Sequence, residues 1–433
     1  MRWLDERFGV TSAGSTVRTE LVAGATTFVT MAYILFVNGL ILSGAGLAPA
    51  QVLAVTALVA GVMTIAMGLI ANYPFAIAPG MGINAAVAGN LVVTQHLTAP
   101  EAMGVIVVEG IVITLLVVAG IRERVLDAIP DSLKRGIGAG IGLFLALIGL
   151  SNGGVVRQGH GTLLALGELH ATPTIVFLVG LAIALGLTVR KVKGALLIAI
   201  AAATVLAIAV GVSQVPSAVV SRPDLSLLGA FSFGFVAKLG ALGAALAVFS
   251  LMLSDFFDTI GTAIGLGTEG KFLDAHGRLP RMDRVLLVDS LAAIAGGAAS
   301  SSSATTYIES AAGIASGGRT GLAAVATGML FLAAMLIAPL AAVVPGQATA
   351  SALVVVGFLM TGLLREVDWR DAPHAAPAFL TAVAMPLTWS ISNGIGAGAI
   401  SHVVLMVFAG RARTVHPLMW AVAAAFAVFF ALS

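Results

Sequence analysis

Long runs of apolar residues, separated by short polar or charged segments, occupy nearly the whole chain. A helix needs about 20 apolar residues to cross the hydrocarbon core of a bilayer. The pattern therefore predicts an all-α polytopic membrane protein. It has fourteen predicted spans, at residues 21–43, 51–70, 75–95, 103–120, 134–151, 173–189, 194–213, 240–266, 284–299, 303–316, 320–342, 349–364, 376–392 and 395–410. A further apolar stretch, 415–432, fits either a fifteenth span or a helix packed at the membrane face.

The third and tenth predicted spans are interrupted by small and polar residues, where a membrane helix should be continuous. The interrupting motifs are APGMGINA (78–85) and SSSATTYIES (301–310). Proline and glycine break the first helix, and the Ser/Thr run of the second favours a short extended segment. Extended backbone at membrane depth is tolerated only where protein or a cavity satisfies it. Paired broken helices of this kind hold the substrate in transporters built from inverted repeats.

Composition supports a membrane protein and removes several classes of site. The 433 residues are 59% hydrophobic and 10% charged, whereas soluble domains carry about a quarter charged residues. A formal net charge of +2 without a long basic block argues against nucleic-acid binding. With no cysteine and no histidines at metal-ligand spacing, no metal or cofactor is expected. Residues 1–20 carry mixed charges, so we expect no cleavable signal peptide and insertion from the first span.

Lysine and arginine are concentrated after the even-numbered spans, whereas the loops after odd-numbered spans contain few of them. Cytoplasmic loops carry the excess of positive charge, so the pattern predicts a cytoplasmic N-terminus in a plasma or inner membrane. The basic residues are Arg122, Arg124, Lys134, Arg135, Arg190, Lys191, Lys193, Lys271, Arg278, Arg281, Arg284, Arg365, Arg370, Arg411 and Arg413.

Polar residues recur at a nearly constant offset between the two halves of the chain. Asn38 and Asp258 differ by 220 positions, and Asn84 and Glu309 by 225. The offset places them in matching spans of a seven-plus-seven arrangement. We therefore predict two inverted seven-span repeats.

Five acidic residues lie inside predicted spans, where a charge costs roughly 2.5–3.5 kcal/mol on insertion scales. They are Glu109, Asp255, Asp258, Asp289 and Glu309. Asp255 and Asp258 lie three residues apart on one helix face, where two ionised carboxylates repel, so this pair is a candidate to hold a proton. The alternative is that one of them caps or braces a neighbouring helix. Asp289 fits either a brace behind the site or part of a proton route. For Glu109 we expect a structural hydrogen bond to an adjacent helix.

The two interruptions supply the remaining candidate contacts. Glu309 precedes a helix whose first N–H groups would be free to meet a ligand. Tyr307 offers an aromatic face suited to a flat heterocycle, with core packing as the alternative. Asn84 offers both a donor and an acceptor, with close glycine-mediated helix packing as the alternative for its motif.

These motifs together resemble the AzgA-like hypoxanthine/guanine/adenine permeases, a branch of the nucleobase–ascorbate transporter superfamily. The resemblance extends almost from end to end. It depends on ELVAGATTFVTMAYILFVNGLIL (20–42), FAIAPGMGINA (75–85), SDFFDTIGT (254–262), LPRMDRVLLVDS (279–290) and ATTYIESAAGIASGGRTGL (304–322). After GMGINA the chain reads AVAG, smaller and less polar than many relatives, which weakens the case for a substrate contact one turn further into the third span.

The resemblance implies a core domain, residues 1–125 and 236–345, and a gate domain, residues 126–235 and 346–433. The gate domain often also forms a homodimer contact. By position, Asp258 and Glu309 match the two carboxylates that hold the purine, and Ser310 the polar residue beside them. Asp289 matches the essential acid of the ninth span, and Asn38 the polar residue of the first.

The function expected from these features is import of purine nucleobases by proton symport with alternating access. Guanine and hypoxanthine present N–H donors to a carboxylate, and charge-assisted bonds are about twice as strong as neutral ones. Whether adenine or guanine/hypoxanthine is preferred is left open. An anion carrier of the same architecture is disfavoured by three acids without a buried lysine or arginine beside them. A membrane-embedded enzyme or a channel lacks a supporting motif.

Overall fold

The computed structural model describes residues 2–120, 129–159, 161–214, 219–274 and 278–432. Arg122, Arg124 and the predicted domain boundary at 125 lie outside the described residues. The chain is mainly helical. In chain order its helices are α1 Arg2–Phe8, α2 Val17–Met31, α3 Ile34–Ser43, α4 Pro49–Ile70, α5 Met81–Ala85, α6 Ala99–Val118, α7 Asp131–Asn152, α8 Thr172–Val189, α9 Ala195–Ala209, α10 Phe235–Glu269, α11 Met282–Ala298, α12 Ser310–Ala315, α13 Gly321–Ala334, α14 Gly346–Met360, α15 Ala372–Thr388, α16 Ile391–Phe408 and α17 Pro417–Leu432.

The polytopic helical fold predicted from the apolar runs is confirmed. Within the described residues, nine helical segments are long and apolar enough to cross a membrane, and three further apolar helices are shorter. Each of the fourteen predicted runs overlaps at least one helix, and the count of fourteen spans stays a prediction. The stretch 415–432 forms α17.

Among the residues that the structure describes, four short strands form two antiparallel pairs. Strands β1 (Ile77–Pro79) and β4 (Ala304–Thr306) pair with each other, with Ile77 opposite Thr306. All six residues are buried, and the pairing satisfies backbone groups that lipid would leave unpaired. The predicted extended segments in the third and tenth spans are thus confirmed. Strands β2 (Val156–Gln158) and β3 (Leu164–Leu166) form a hairpin in the loop after the fifth span.

The first predicted span has a short break in its α-helical hydrogen bonding at Ala32 and Tyr33, which both keep right-handed helical backbone angles. The apolar pattern did not predict this break. Helix α2 ends at Met31 and α3 begins at Ile34. Just before the break, the Thr30 hydroxyl donates to the carbonyls of Thr26 and Thr27, a type of bond that bends helices. The break leaves Tyr33 fully buried at the junction.

Helices α4 and α13 cross with their backbones in contact. A Cβ added at Gly321 would overlap the carbonyl oxygen of Gly68, and one added at Gly328 would lie 2.5 Å from the carbonyl oxygen of Gly61. Small residues at such crossings are the usual basis of close helix packing in membranes. This crossing joins the second predicted span to the eleventh.

We expect Gly321→Ala to lower the free energy of unfolding by about 1–3 kcal/mol, because overpacking a close-packed crossing forces backbone shifts. The matched control is Gly186→Ala on α8, where an added Cβ meets no atom within 4 Å. Thermal unfolding of the purified proteins in detergent measures both. Equal melting temperatures for the two variants would show that the crossing tolerates a methyl group.

Candidate functional site

The pairing of β1 with β4 brings the two interrupted spans face to face. Beyond the strands, the Gly80 amide donates to the Ser303 carbonyl at 2.8 Å, and the Tyr307 amide donates to the Ala76 carbonyl at 2.9 Å. The Ser310 hydroxyl in turn accepts from the Ala76 amide at 2.9 Å. Ser310 therefore ties the start of α12 to the first interruption.

Asp289 is fully buried on α11 and accepts three hydrogen bonds. Its Oδ1 accepts from the amide and the hydroxyl of Thr306, both at 2.9 Å. Its Oδ2 accepts from the Thr259 hydroxyl on α10 at 2.6 Å, and that hydroxyl also lies 2.8 Å from Thr305 Oγ1. Asp289 thus fixes β4 to α10 and α11. This geometry fits the brace among its two predicted roles.

Thr64 on α4 holds the other strand in the corresponding way. Its hydroxyl accepts from the Ile77 amide at 2.9 Å and lies 3.1 Å from the Ile77 carbonyl oxygen. Because Ile77 pairs with Thr306, Thr64 and Asp289 anchor opposite members of one residue pair. Each strand is therefore fixed to a long helix on its own side.

We expect Asp289→Asn to destabilise the whole protein. Each buried donor left unsatisfied costs about 1–3 kcal/mol. Aspartate accepts through two oxygens, whereas asparagine has one oxygen and an NH2 group that donates, so it cannot accept from the same three donors. The measurements are the thermal unfolding of the purified protein without ligand and the amount of protein expressed. Asp283→Asn, at an exposed position of the same helix, is the control. A variant with unchanged stability that has lost transport would exclude the brace and support the proton route.

Among the predicted contact and proton-coupling residues, Asp258 and Glu309 have accessible side chains. Asp258 on α10 is exposed, and Glu309, at the N-cap of α12, is partly exposed. Glu309 Oε1 accepts from the Tyr33 hydroxyl at 2.6 Å, and the charge of Glu309 acts on Asp258. Two carboxylates from different halves of the chain are therefore brought within electrostatic range of each other.

An exposed face of α10 leads away from Asp258. Gly261, Ile264, Gly265 and Thr268 follow it at helical spacing, and all are exposed. A Cβ added at Gly261 would meet no atom within 4 Å. The face reaches the C-terminal end of α10, where the sequence predicts the cytoplasmic side.

The other predicted contacts are engaged inside the protein. Asn84 Nδ2 donates to Asn38 Oδ1 at 2.6 Å, and Asn38 Nδ2 donates to Thr56 Oγ1 at 2.7 Å; both asparagines are fully buried. Tyr307 is 5% exposed, and its hydroxyl donates to the Pro79 carbonyl. Its ring packs in an apolar cluster, the alternative foreseen for it. Asp255 is fully buried on α10.

Sequence reasoning missed Tyr33, Thr64 and Thr259. Tyr33 could have been selected because tyrosine is rare in this sequence. The chain contains three tyrosines, and two of them lie at this site. The threonines carry no such signal, because hydroxyls that bond within their own helix are common in membrane spans. Across the described ranges, no group of three or more His, Cys, Asp or Glu residues is placed to hold a metal ion.

Comparison with known proteins identifies relatives over nearly the whole length. The family described as "Permease family" matches residues 18–397. Adenine permease AdeQ of Escherichia coli (strain K12) is 41% identical, covering 98% of this chain and 95% of its own. Guanine/hypoxanthine permease PbuO of Bacillus subtilis (strain 168) is 39% identical, covering 94% and 95%. The transmembrane domain of a cyanobacterium bicarbonate transporter, BicA, has the same fold, with a TM-score of 0.64 at 16% identity, covering 87% of this chain and 97% of its own.

Proposed function

The chain belongs to this permease family, and on that premise we propose that it imports purine nucleobases by proton symport. The observation that carries the proposal is the accessible pair Asp258 and Glu309 beside two interrupted spans. Relatives named as adenine and guanine/hypoxanthine permeases, at 39–41% identity, support a purine as the substrate. Membership of a permease family points to a transporter rather than an enzyme.

The chemistry of the two carboxylates suits a purine edge. An ionised carboxylate offers about four lone-pair sites, so Glu309 can accept purine N–H groups while it accepts from Tyr33. A site built to accept such donors rejects analogues that lack them, because its own polar groups are then left unpaired. In this proposal Tyr33 orients Glu309, while Asp289 and Thr64 hold the backbone on which the site is built.

An anion is a poorer substrate for this arrangement. The buried polar and charged side chains of the described residues include neither lysine nor arginine, whereas Asp258 is exposed and Glu309 is partly exposed. The likeness to the bicarbonate transporter, at 16% identity, concerns the fold alone.

Proton coupling and alternating access complete the proposal. Asp258, exposed and within range of two other carboxylates, is the residue that we assign to the coupled proton, with Asp255 buried one turn away. Helix packing supports a division into a core domain and a gate domain that move relative to each other. Helices α4, α13 and α2 pack together, as do α7, α14 and α15. We place the N-terminus in the cytoplasm, from the distribution of basic residues.

The test is uptake into proteoliposomes under an imposed inward proton gradient. Labelled adenine, guanine and hypoxanthine are compared with sulfate and bicarbonate, with and without a protonophore. We expect uptake of at least one purine, abolished by the protonophore, and none of the anions. Anion uptake would favour the alternative function as an anion carrier. Purine uptake that is unaffected by the protonophore would exclude proton coupling but confirm a purine as the substrate.

A further inference from the structure

Glu109 lies in the middle of α6 and takes no part in the site described above. Its side chain is fully buried. Neither carboxyl oxygen has a hydrogen-bond partner among the described residues. The structural hydrogen bond expected from the sequence is therefore not formed with any residue that the structure describes.

The surroundings of Glu109 are tightly packed. A Cβ added at the neighbouring Gly110 would lie 2.6 Å from the Ile294 amide nitrogen of α11, and one at Gly297 would lie 2.9 Å from the Val107 amide nitrogen of α6. The backbones of α6 and α11 are thus in contact at residues close to Glu109 in the sequence.

The charged groups on the elements packed against α6 can be named. Helix α11 carries Asp289, whose charge acts on Glu109, and Asp283 and Arg284 in its first turn. Helix α10 carries Lys238, Asp255, Asp258 and, at its C-terminal end, Glu269. Lys238 pairs with Glu101 at the start of α6, 2.7 Å apart. The helical segment 86–94 carries no titratable residue.

Two neighbouring acids therefore have opposite environments. Asp289 accepts from three donors, the arrangement that suits an ionised carboxylate, which is acceptor-only. Glu109 has no donor to stabilise a charge. An ionised, unpaired carboxylate inside a membrane protein is strongly disfavoured, so Glu109 carries a proton in this conformation.

We propose that Glu109 is a second proton-binding residue of the transport cycle. A proton from the outside water forms an O–H bond on the Glu109 carboxylate. The same bond breaks when the proton passes to the cytoplasmic water, leaving the carboxylate. The electrostatic link to Asp289 connects its charge to the residue that holds Thr306 and Thr259 at the substrate site. This inference rests on the proposed symport function.

The effect of substituting Glu109 on stability distinguishes a proton-binding role from a structural role. Replacing an unsatisfied buried polar group by an apolar side chain of similar size is nearly neutral or stabilising. We therefore expect Glu109→Leu, which removes the unsatisfied polar atoms, to melt at or above the wild-type temperature, and Glu109→Gln, which exchanges one uncharged polar group for another, to melt close to it. Failure of both variants to fold would overturn the proposal.

The decisive experiment compares two modes of transport by Glu109→Gln, again in proteoliposomes. Substrate counterflow requires no net proton movement, and we expect it to stay near wild type. Each coupled proton supports about tenfold accumulation for a gradient of about one pH unit. We expect the gradient-driven accumulation ratio to fall by that factor. Wild-type accumulation by the variant would overturn the proposal.

Two further measurements make the result specific. Glu101→Gln, the same substitution on the same helix, should leave accumulation unchanged. Infrared difference spectra should contain a protonated-carboxyl band that disappears in Glu109→Gln, and persistence of every such band would contradict the assignment. If the wild-type protein transports no purine, the symport proposal itself is refuted. That outcome differs from a wild-type protein that transports purine and a Glu109 variant that accumulates it equally well, which refutes only the role of Glu109.

Discussion

Glu309→Gln will bind purines much more weakly than the wild-type protein while keeping its fold. Glutamine preserves the volume but loses the charge, and each charge-assisted hydrogen bond contributes about 1.5–3 kcal/mol. The loss of one such bond weakens binding by roughly 10- to 150-fold. Glu309 is partly exposed at the interruption of the tenth span, so the substitution leaves the surrounding core intact.

Equilibrium binding of guanine, hypoxanthine and adenine to the purified variant measures the effect. Thermal unfolding verifies that the protein is folded. Glu269→Gln, at the exposed end of α10, removes a charge from the same accessible face without touching the site, and should bind normally. Wild-type affinity in the Glu309 variant would exclude this carboxylate as a substrate contact.

Asp258→Asn will weaken the pH dependence of uptake by removing one of the two proposed proton-binding groups. In the wild-type protein, uptake should fall as the external pH rises, because the carboxylate at an accessible position beside Glu309 and Asp289 then loses its proton. An amide cannot titrate over this range, so accumulation driven by a gradient of about one pH unit should drop by about tenfold.

Initial uptake rates and accumulation ratios across a series of external pH values provide the measurement. Asp274→Asn, exposed in the loop after α10, is the control for a lost surface charge. If a folded and transporting Asp258→Asn protein retains the wild-type pH profile, the coupled proton belongs to another group, with Glu109, Asp289 and Glu309 as the remaining candidates.

The apolar pattern predicted the helices and both interruptions because hydrophobic length and helix-breaking residues are local properties of the sequence. It also selected Asp258 and Glu309, since charges are rare in spans. It did not predict the break before Tyr33, because MAYILF contains neither proline nor glycine. At this break Tyr33 donates a hydrogen bond to Glu309 in the other half of the chain, a tertiary contact that the local sequence does not encode.

The burial of Asn38 and Asn84 was also beyond the sequence. Their types and positions predicted ligand contacts. In the packing of α3 against α5, one hydrogen bond joins the two amides, while Asn84 Oδ1 has no hydrogen-bond partner among the described residues. The roles of Thr64 and Asp289 likewise become visible once the register of β1 against β4 is known.

The pairing of β1 with β4 also has a consequence for how the protein is made. Residues 77–79 are synthesised long before residues 304–306, and at about 5–20 residues per second the interval is roughly 10–45 seconds. For that time the amide and carbonyl groups of β1 lack their strand partner, at a depth where lipid offers none. The nascent third span must therefore be kept out of lipid until the tenth arrives. Substitutions that weaken this pairing should lower the yield of inserted protein before they affect any step of transport.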